Sequence, residues 1–501
     1  MASLRIFVFI LSIVTFVLAS GMYVCICVDI SHYEYNTNFV ITAVFTTILS
    51  MIFYMSSKIL NLKVAIINNN QSVSNTSLTI FIVLLWVITI VIAMVPFITY
   101  DVSIVNAIFE STSGITTTGA TIFYNLDYMP KGLLLWRMLL HFFGCIGINL
   151  TSLAVTCILN IRSSNNILFT KDIVPDANML IKYHLKPDYK HITKDVLSIF
   201  TILGIACAVL YFIGGMNMFD AISHSISTIS TGGFANYDAS FAHFNSFFIE
   251  IVSSIFIILS SLPIFFFLTL KRTHCVFWSE QITFFIITLT LLILITTVIL
   301  HFENIHSSLL ECFRYSLFTC VNIASTTGFT NINYADWNAG NILIMLFFIM
   351  FIGGCLGSTT GGIKTWRILI LMKSILNIDQ KKHQIRFIKI DNHAITDRQT
   401  NNINLFINFY IIIAIICIII FSILGLDIRT SFSIAAATLT NTGPGFGKIS
   451  PNYNYNELSS AVKYFSCTVM LLGRLEIIPF LVILNQVFFN IKKIYRRISN
   501  P

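Results

Sequence analysis

Residues 111–121 read Ser-Thr-Ser-Gly-Ile-Thr-Thr-Thr-Gly-Ala-Thr, a polar stretch in a chain that is otherwise strongly apolar. At its centre lies Thr117-Thr118-Gly119, and three stretches of the same kind follow: Ser230-Thr231-Gly232, Thr326-Thr327-Gly328 and Asn441-Thr442-Gly443. Each is a hydroxyl or amide residue, then Thr, then Gly. Gly232 lies 113 residues after Gly119, Gly328 lies 96 further on, and Gly443 another 115. Recurrence at near-even spacing marks four copies of one unit along a single chain.

The setting of these stretches decides what they mean. The 501 residues are 56% hydrophobic and only 10% charged, with a mean hydropathy of +0.83. A soluble domain is about 25% charged, so this is an integral membrane protein. A spanning helix needs roughly 20 mainly apolar residues, and about ten such segments can be marked out, leaving no separate soluble domain. The 11 cysteines are scattered singly, apart from Cys25 and Cys27, and form neither a disulfide framework nor a zinc site. The formal charge of +8 is explained by orientation in the membrane rather than by a nucleic-acid partner.

The N-terminal apolar run from Arg5 to about Val24 is longer than a signal-peptide core, so a retained helix paired with the segment Phe39 to Leu60 is expected. Four units then share one order: spanning helix, shorter polar half-helix, polar turn, second helix. In the first, Leu78 to Phe97 is followed by Asp101 to Thr116, the Thr-Thr-Gly turn, and a second helix after Pro130. The second helix of the next unit, Phe247 to Leu270, carries the kink candidate Pro263. The last is expected to run from about Ala461 to Ile491. The fold expected is thus all-α and membrane-embedded, with about ten transmembrane helices. The divisions are an N-terminal pair (1–66) and four pore repeats (77–161, 193–272, 281–375 and 403–494) around one central pore. With the polar turns facing outward, segments 58–76, 161–195, 271–281, 373–402 and the C-terminal tail are cytoplasmic. They carry 20 of the 30 basic residues, the asymmetry expected of that orientation.

Non-helical backbone at membrane depth is tolerated only where protein buries it or where it lines a water-filled path. Four such turns imply such a path. Backbone carbonyls from four loops can replace the hydration shell of a monovalent cation, and glycine lets the strands crowd an axis. The half-helices aim their C-terminal ends, about half a negative charge each, at the same point.

The stretches Thr116-Thr117-Thr118-Gly119-Ala120-Thr121, Ser230-Thr231-Gly232-Gly233-Phe234, Ser325-Thr326-Thr327-Gly328-Phe329 and Asn441-Thr442-Gly443-Pro444-Gly445 resemble the four filter sequences of the Trk/Ktr/HKT superfamily of cation transporters, and within it the TrkH family of bacterial potassium uptake subunits. The resemblance covers nearly the whole chain, including the N-terminal helix pair, Gly215-Met216-Asn217-Met218-Phe219-Asp220 and Gly473-Arg474-Leu475-Glu476-Ile477. It implies that K+ is held by the carbonyls of Thr117, Thr118, Ser230, Thr231, Thr326, Thr327, Asn441 and Thr442, with Gly119, Gly232, Gly328 and Gly443 shaping the loops. Glycine in all four turns goes, in that superfamily, with potassium rather than sodium. The resemblance further implies a multi-pass protein of the bacterial inner membrane, in contact with lipid. It implies a homodimer, each protomer with its own pore, under a cytosolic nucleotide-binding TrkA-like regulatory subunit, with no cofactor bound by this chain and K+ as the transported ion.

Control is expected beneath the turns. Gly353-Gly354-Cys355-Leu356-Gly357-Ser358-Thr359-Thr360-Gly361-Gly362 interrupts the second helix of the third repeat, because each glycine costs about 1 kcal/mol in a helix relative to alanine. The alternative is a small-residue packing surface, but Ser358, Thr359 and Thr360 add polarity, and in the resembled family the matching segment is an intramembrane gate. Arg474, a charge amid apolar residues, is expected to face a cavity or a partner. Pairing with Glu110 is open to it, whereas Glu476, two positions away, points to another helix face. The resemblance makes Arg474 a pore-facing residue that helps hold the gate closed. Asp127, Asp238 and Asp336, 6 to 8 residues beyond their glycines, either gather cations or, the preferred reading, cap a following helix.

No phosphate-cradling motif is present, so nucleotide sensing is expected of the partner, and His141, His224 and His301 are isolated in sequence, which argues against an enzyme. The expected function is channel-like potassium uptake. The alternative is a proton- or sodium-coupled symporter, for which Glu110, Glu250 and Glu476 are the few titratable candidates.

Overall fold

The computed structural model describes residues 2–34, 36–59, 75–160, 189–276, 278–305, 307–337, 340–376, 388–391, 393–477 and 480. The basic segments around Lys63, Arg162 to Lys186, Lys381 to Arg386 and Lys492 to Arg497 lie outside them, as do the outer parts of the divisions 1–66, 77–161 and 403–494.

Two long N-terminal helices, Ala2–Ser31 and Thr37–Ile59, pair as a hairpin. The order expected from the sequence then recurs four times. The first helices, Asn75–Ala93, Tyr189–Ile213, Glu280–Phe302 and Asp397–Ile423, are followed by the half-helices Ile104–Ile115, Met218–Ile229, Leu309–Ala324 and Ile428–Leu439. After the polar loops come Lys131–Asn160, Phe247–Ser260 with Ile264–Thr273, Gly340–Ile352 with Thr365–Leu376, and Ser460–Arg474. The half-helices start where the sequence offers an oxygen acceptor. Asn217, Ser308 and Asp427 each accept the backbone N–H three residues on, at 2.8, 3.1 and 3.0 Å.

Among the described residues six helices are long and apolar enough to cross a membrane, or seven if the bent pair counts as one. These are the N-terminal pair and the four first helices, plus the second helix of repeat 2. The other second helices fall short of that length because they are broken or only partly described.

Packing explains why the repeats close on themselves. Each half-helix lies against the second helix of its own repeat and that of the preceding one. Ile104–Ile115 packs on Lys131–Asn160 and on Ser460–Arg474, so the fourth repeat adjoins the first. Exposed Ile, Leu and Phe side chains run along the first helices, whereas polar side chains such as Ser113, Ser227, Asn322 and Thr438 are buried on the half-helices. That inversion is what a membrane protein with a polar interior requires.

Three details differ from expectation. Residues 388–390 and 393–395 form a two-stranded antiparallel hairpin in a stretch expected to be loop, with Lys389 opposite Ala394. The helix Ser460–Arg474 is interrupted where Glu476 and Ile477 turn left-handed with φ of 58° and 41°, a break inside the span expected to run to about residue 491. Residues 478–479 and 481–501 are outside the described part. Finally, the Pro263 break is far sharper than a kink, with the two halves bent by 83°.

Candidate functional site

All four half-helices end in the same cap. The C-cap residues are Thr116, Ser230, Ser325 and Thr440. The next residues, Thr117, Thr231, Thr326 and Asn441, are left-handed with φ between 49° and 58°. The following N–H groups, of Thr118, Gly232, Thr327 and Thr442, donate back to Ser113, Ser227, Asn322 and Ala437 carbonyls, each at 2.9 Å. This is the Schellman closure of a helix, here with Thr or Asn where glycine is usual. A β-branched residue held left-handed is strained, and such strain persists only where the surroundings over-determine it.

The cap corrects the register of the second loop. Ser230 is a helix cap, equivalent to Thr116, Ser325 and Thr440, so Thr231-Gly232-Gly233 rather than Ser230-Thr231-Gly232 matches the other three triplets. The glycines that share a place are Gly119, Gly233, Gly328 and Gly443, with φ of 77°, 85°, 85° and 90°. These four join the loops into a ring. A Cβ on Gly119 would strike the carbonyl of Gly232, one on Gly233 that of Thr327, one on Gly328 that of Thr442, and one on Gly443 that of Thr118. Each loop is thus pressed against the next, in chain order, and the fourth against the first.

On the side of the ring facing the half-helix caps lies the interrupted segment. The helix stops at Ile352 and resumes at Thr365, with Gly353, Gly357 and Gly362 at positive φ. Thr359 Oγ1 is 3.0 Å from Thr231 Oγ1 of the second loop, and Gly361 N donates to Thr326 Oγ1 of the third at 2.7 Å. Gly361 also abuts the Thr440 carbonyl of the fourth. Internally, Gly354 N and Ser358 Oγ meet Thr360 Oγ1 at 3.0 and 2.8 Å, and the buried Lys364 ammonium donates to the Thr360 carbonyl. The backbone freed at the Pro263 break is satisfied here: Ile264 N donates to Gly357 O at 2.9 Å and Cys355 N to Ser261 O at 3.0 Å. Two broken helices complete each other's hydrogen bonds, the condition for irregular backbone at that depth.

Arg474 is buried, and its Nη1 donates to the Thr359 carbonyl at 2.8 Å. Its Nε and Nη2 make no hydrogen bond among the described residues. Neither carboxylate considered for it is its partner. Glu110 pairs with Arg137 at 2.7 Å, and Glu476 pairs with Arg367 at 2.5 Å.

On the opposite side of the ring, the residues that follow the glycines line a cavity of about 270 Å³ reached by all four loops. Asp238 lines it too, and its carboxylate accepts the backbone N–H groups of Asn125 at 2.8 Å and Leu126 at 3.2 Å. It is a cap, but of the turn in the neighbouring repeat. Asp127 lies in that turn, and Asp336 ends a similar one, Tyr334–Asp336.

Sequence reading missed Arg137, which is fully buried. Besides Glu110 it donates to Ala235 O at 3.1 Å and Thr121 Oγ1 at 2.9 Å, tying the exits of loops 1 and 2 together. Lys364 was missed likewise, Asp220 was noted only within a family motif, and His141 only as an isolated histidine. Asp220 accepts from Asn236 and Tyr237 at 2.7 Å each, bracing the far end of loop 2. An ionisable residue in a mainly apolar segment was the signal that marked Arg474, and it marks Arg137 equally.

Four left-handed helix caps closed into one ring, with a cavity on one side and a broken helix on the other, define a multi-pass membrane protein organised about a single axial site. The TrkH family, described as cation transport proteins, matches residues 50–490, and the chain belongs to it. The TrkH potassium uptake protein of Vibrio parahaemolyticus is 33% identical over 424 residues, covering 82% of this chain and 85% of that protein. Its counterpart in Escherichia coli is 33% identical over 420 residues, with the same shares covered. The crystal structure of the potassium transporter TrkH from Vibrio parahaemolyticus superposes with a TM-score of 0.84 at 28% identity, over 96% of this chain and 98% of that one. The fold is therefore the mostly helical TrkH fold, in a multi-pass protein of the inner membrane. This is a transport family, as expected of a chain read as no enzyme.

Proposed function

We propose that this chain carries potassium into the cell as the pore-forming, channel-like subunit of a Trk-type system, with the ion passing through the ring of four loops. The observation that carries the reading is the closure of that ring: four equivalent glycines, each against the next loop's carbonyl, around one axis. The relatives named as Trk system potassium uptake proteins support the choice of ion. The filter carbonyls are those of Thr117 and Thr118, Thr231 and Gly232, Thr326 and Thr327, and Asn441 and Thr442, so the corrected register moves the second pair one residue along. The half-helix C-termini add negative potential at the same place. The membrane potential supplies about 2.3 kcal/mol per charge per 100 mV, so uptake needs no chemical step.

The segment from Gly353 to Gly362 is the gate. It bonds to two loops and abuts a third, and Arg474 holds it through the Thr359 carbonyl while placing positive charge beneath the filter. By family analogy the unit is a homodimer, regulated by a TrkA-like nucleotide-binding subunit docked on the basic cytoplasmic segments. The coupled-symport reading is disfavoured by the engagement of its candidate groups. Glu110, Glu250 and Glu476 are ion-paired to Arg137, Arg314 and Arg367.

Expression in a bacterium lacking its own potassium uptake tests the proposal, with growth restored at low potassium as the expected outcome and no rescue as the refutation. Gly119→Ser is expected to admit sodium at the expense of potassium discrimination. Arg474→Ala frees the Thr359 carbonyl and removes the charge, so faster basal uptake is expected, and unchanged or slower uptake would count against the gate. Uptake at fixed voltage that tracks an imposed proton gradient would favour the symporter.

A further inference from the structure

The four loops share a backbone but not their side chains. Thr118, Thr327 and Thr442 each place a hydroxyl against that of the residue two positions earlier: Thr116 at 2.7 Å, Ser325 at 2.8 Å and Thr440 at 2.7 Å. These pairs brace the loop against its own helix cap. The second loop keeps half of the device. Ser230 donates to Ile226 O at 2.7 Å, as Thr116 does to Thr112 O at 2.7 Å and Thr440 to Ala436 O at 2.8 Å. Its expected partner position, however, is Gly232, which has no side chain.

The space is not empty. A Cβ on Gly232 would run into the imidazole of His141, with the ring Cε1 at 2.6 Å and Nδ1 closer still. His141 belongs to the second helix of repeat 1 and is fully buried. Its ring stacks on Phe234 of the second loop with centroids 4.2 Å apart and planes 18° apart. The guanidinium carbon of Arg137, one helical turn earlier, is also 4.2 Å from the Phe234 ring. His141 Nδ1 lies 3.4 Å from Ser227 Oγ, and the Ser227 carbonyl accepts the Gly232 N–H. Nε2 has no hydrogen-bond partner among the described residues, so stacking on Phe234 and the Ser227 bond at Nδ1 hold the ring where it is. Gly232 is not among the glycines at positive φ, so its backbone would accept a side chain, and the three atoms nearest to such a Cβ all belong to the imidazole.

We propose that His141 is the positioning residue of the second filter loop, supplying from repeat 1 the bulk that Thr118, Thr327 and Thr442 supply within their own loops. The inference rests on the potassium-filter reading above. A loop with bare glycines at 232 and 233 has more conformational freedom than the other three, and a rigid ring packed on it removes that freedom. Selectivity among monovalent cations depends on how the carbonyls are held, so the second quarter of the filter depends on a residue the loop does not contain.

The test compares His141→Ala, Gly232→Thr and the pair, as full-length protein in liposomes, by potassium and sodium flux, with thermal unfolding of each in detergent. His141→Ala should lower potassium over sodium discrimination by roughly tenfold or more, the scale on which a pocket responds to one missing group. Gly232→Thr drives a side chain into the imidazole and should lower both flux and melting temperature. Combined, the two should recover towards wild type, since the introduced threonine side chain then fills the space and can meet the Ser230 hydroxyl. A folded His141→Ala protein with unchanged discrimination, a Gly232→Thr protein that melts and conducts as wild type, or a pair no better than its worse member would each overturn the proposal. Wild-type protein that passes no potassium would defeat the functional reading instead, and the three melting temperatures would still decide on His141.

Discussion

Gly233→Ala is expected to abolish potassium flux in a protein that still folds. Gly233 holds φ at 85°, a conformation a residue with a Cβ resists by roughly 1–2 kcal/mol. That strain alone is small for a chain of this size. The decisive effect is geometric, because the new methyl would collide with the Thr327 carbonyl oxygen, an atom of the next loop's backbone. No rotamer change relieves a clash with main chain, so loop 2 or loop 3 must shift, and carbonyls of both are assigned to the ion. Displacements of that order cost about a hundredfold where reacting or bound atoms must be held to a fraction of an ångström. Ser230→Ala is the matched control. It removes one hydroxyl bond to Ile226 O at a helix cap and is expected to leave flux within a few-fold of wild type, worth on the order of 1 kcal/mol of stability. Rubidium uptake into liposomes separates the two. If Ser230→Ala is the crippling change and Gly233→Ala the mild one, the register assigned to the second loop is wrong.

Arg137→Met carries the largest expected effect on stability. It leaves the Glu110 carboxylate, fully buried, without its cation. Removing one partner of a buried pair costs about 3–5 kcal/mol, since the remaining charge is uncompensated. The guanidinium also bonds Ala235 O and Thr121 Oγ1, so the exits of loops 1 and 2 lose their shared tie. A lower melting temperature and a reduced yield of monodisperse protein are expected. Adding Glu110→Gln should restore part of the loss, because the amide is neutral and can still accept from Ile122 N, which now donates to Glu110 at 3.0 Å. Arg137→Met melting as wild type would show that the pair is not what holds these loops.

Much of this architecture was legible before any coordinates. The polar triplets stood out because turn residues interrupt apolar runs, and the breaks at Pro263 and across Gly353 to Gly362 were visible because proline and clustered glycine oppose helix locally. The misplaced second loop shows where such reading ends. Ser230-Thr231-Gly232-Gly233 contains two glycines, and matching the first of them to Gly119 was as good in letters as matching the second. Only the left-handed turn at Thr231 and the closure of the ring at Gly233 distinguish them. Arg474 was marked as needing a partner, but both carboxylates near at hand were engaged by Arg137 and Arg367, and the partner was a carbonyl 115 residues away. Asp238 was expected to cap the helix that follows it, yet its carboxylate accepts from Asn125 and Leu126, 113 and 112 residues earlier in another repeat.

The chain by itself determined what is local: the apolar lengths that make helices in lipid, the polar ends that stop them, the residues at which backbone leaves the helix, and the fourfold repetition of all three. Those follow from hydrogen bonds and burial within a few turns of chain. The tertiary structure decided what crosses between repeats. It set which glycine meets which carbonyl, which broken helix satisfies the other's backbone, which carboxylate takes which arginine, and that His141 occupies the place of a side chain missing from Gly232. Apart from the Arg137–Glu110 pair, which lies within one repeat, such contacts join residues from about 90 to 325 positions apart, and their identity depends on how four similar units close around one axis, which no single unit's sequence contains.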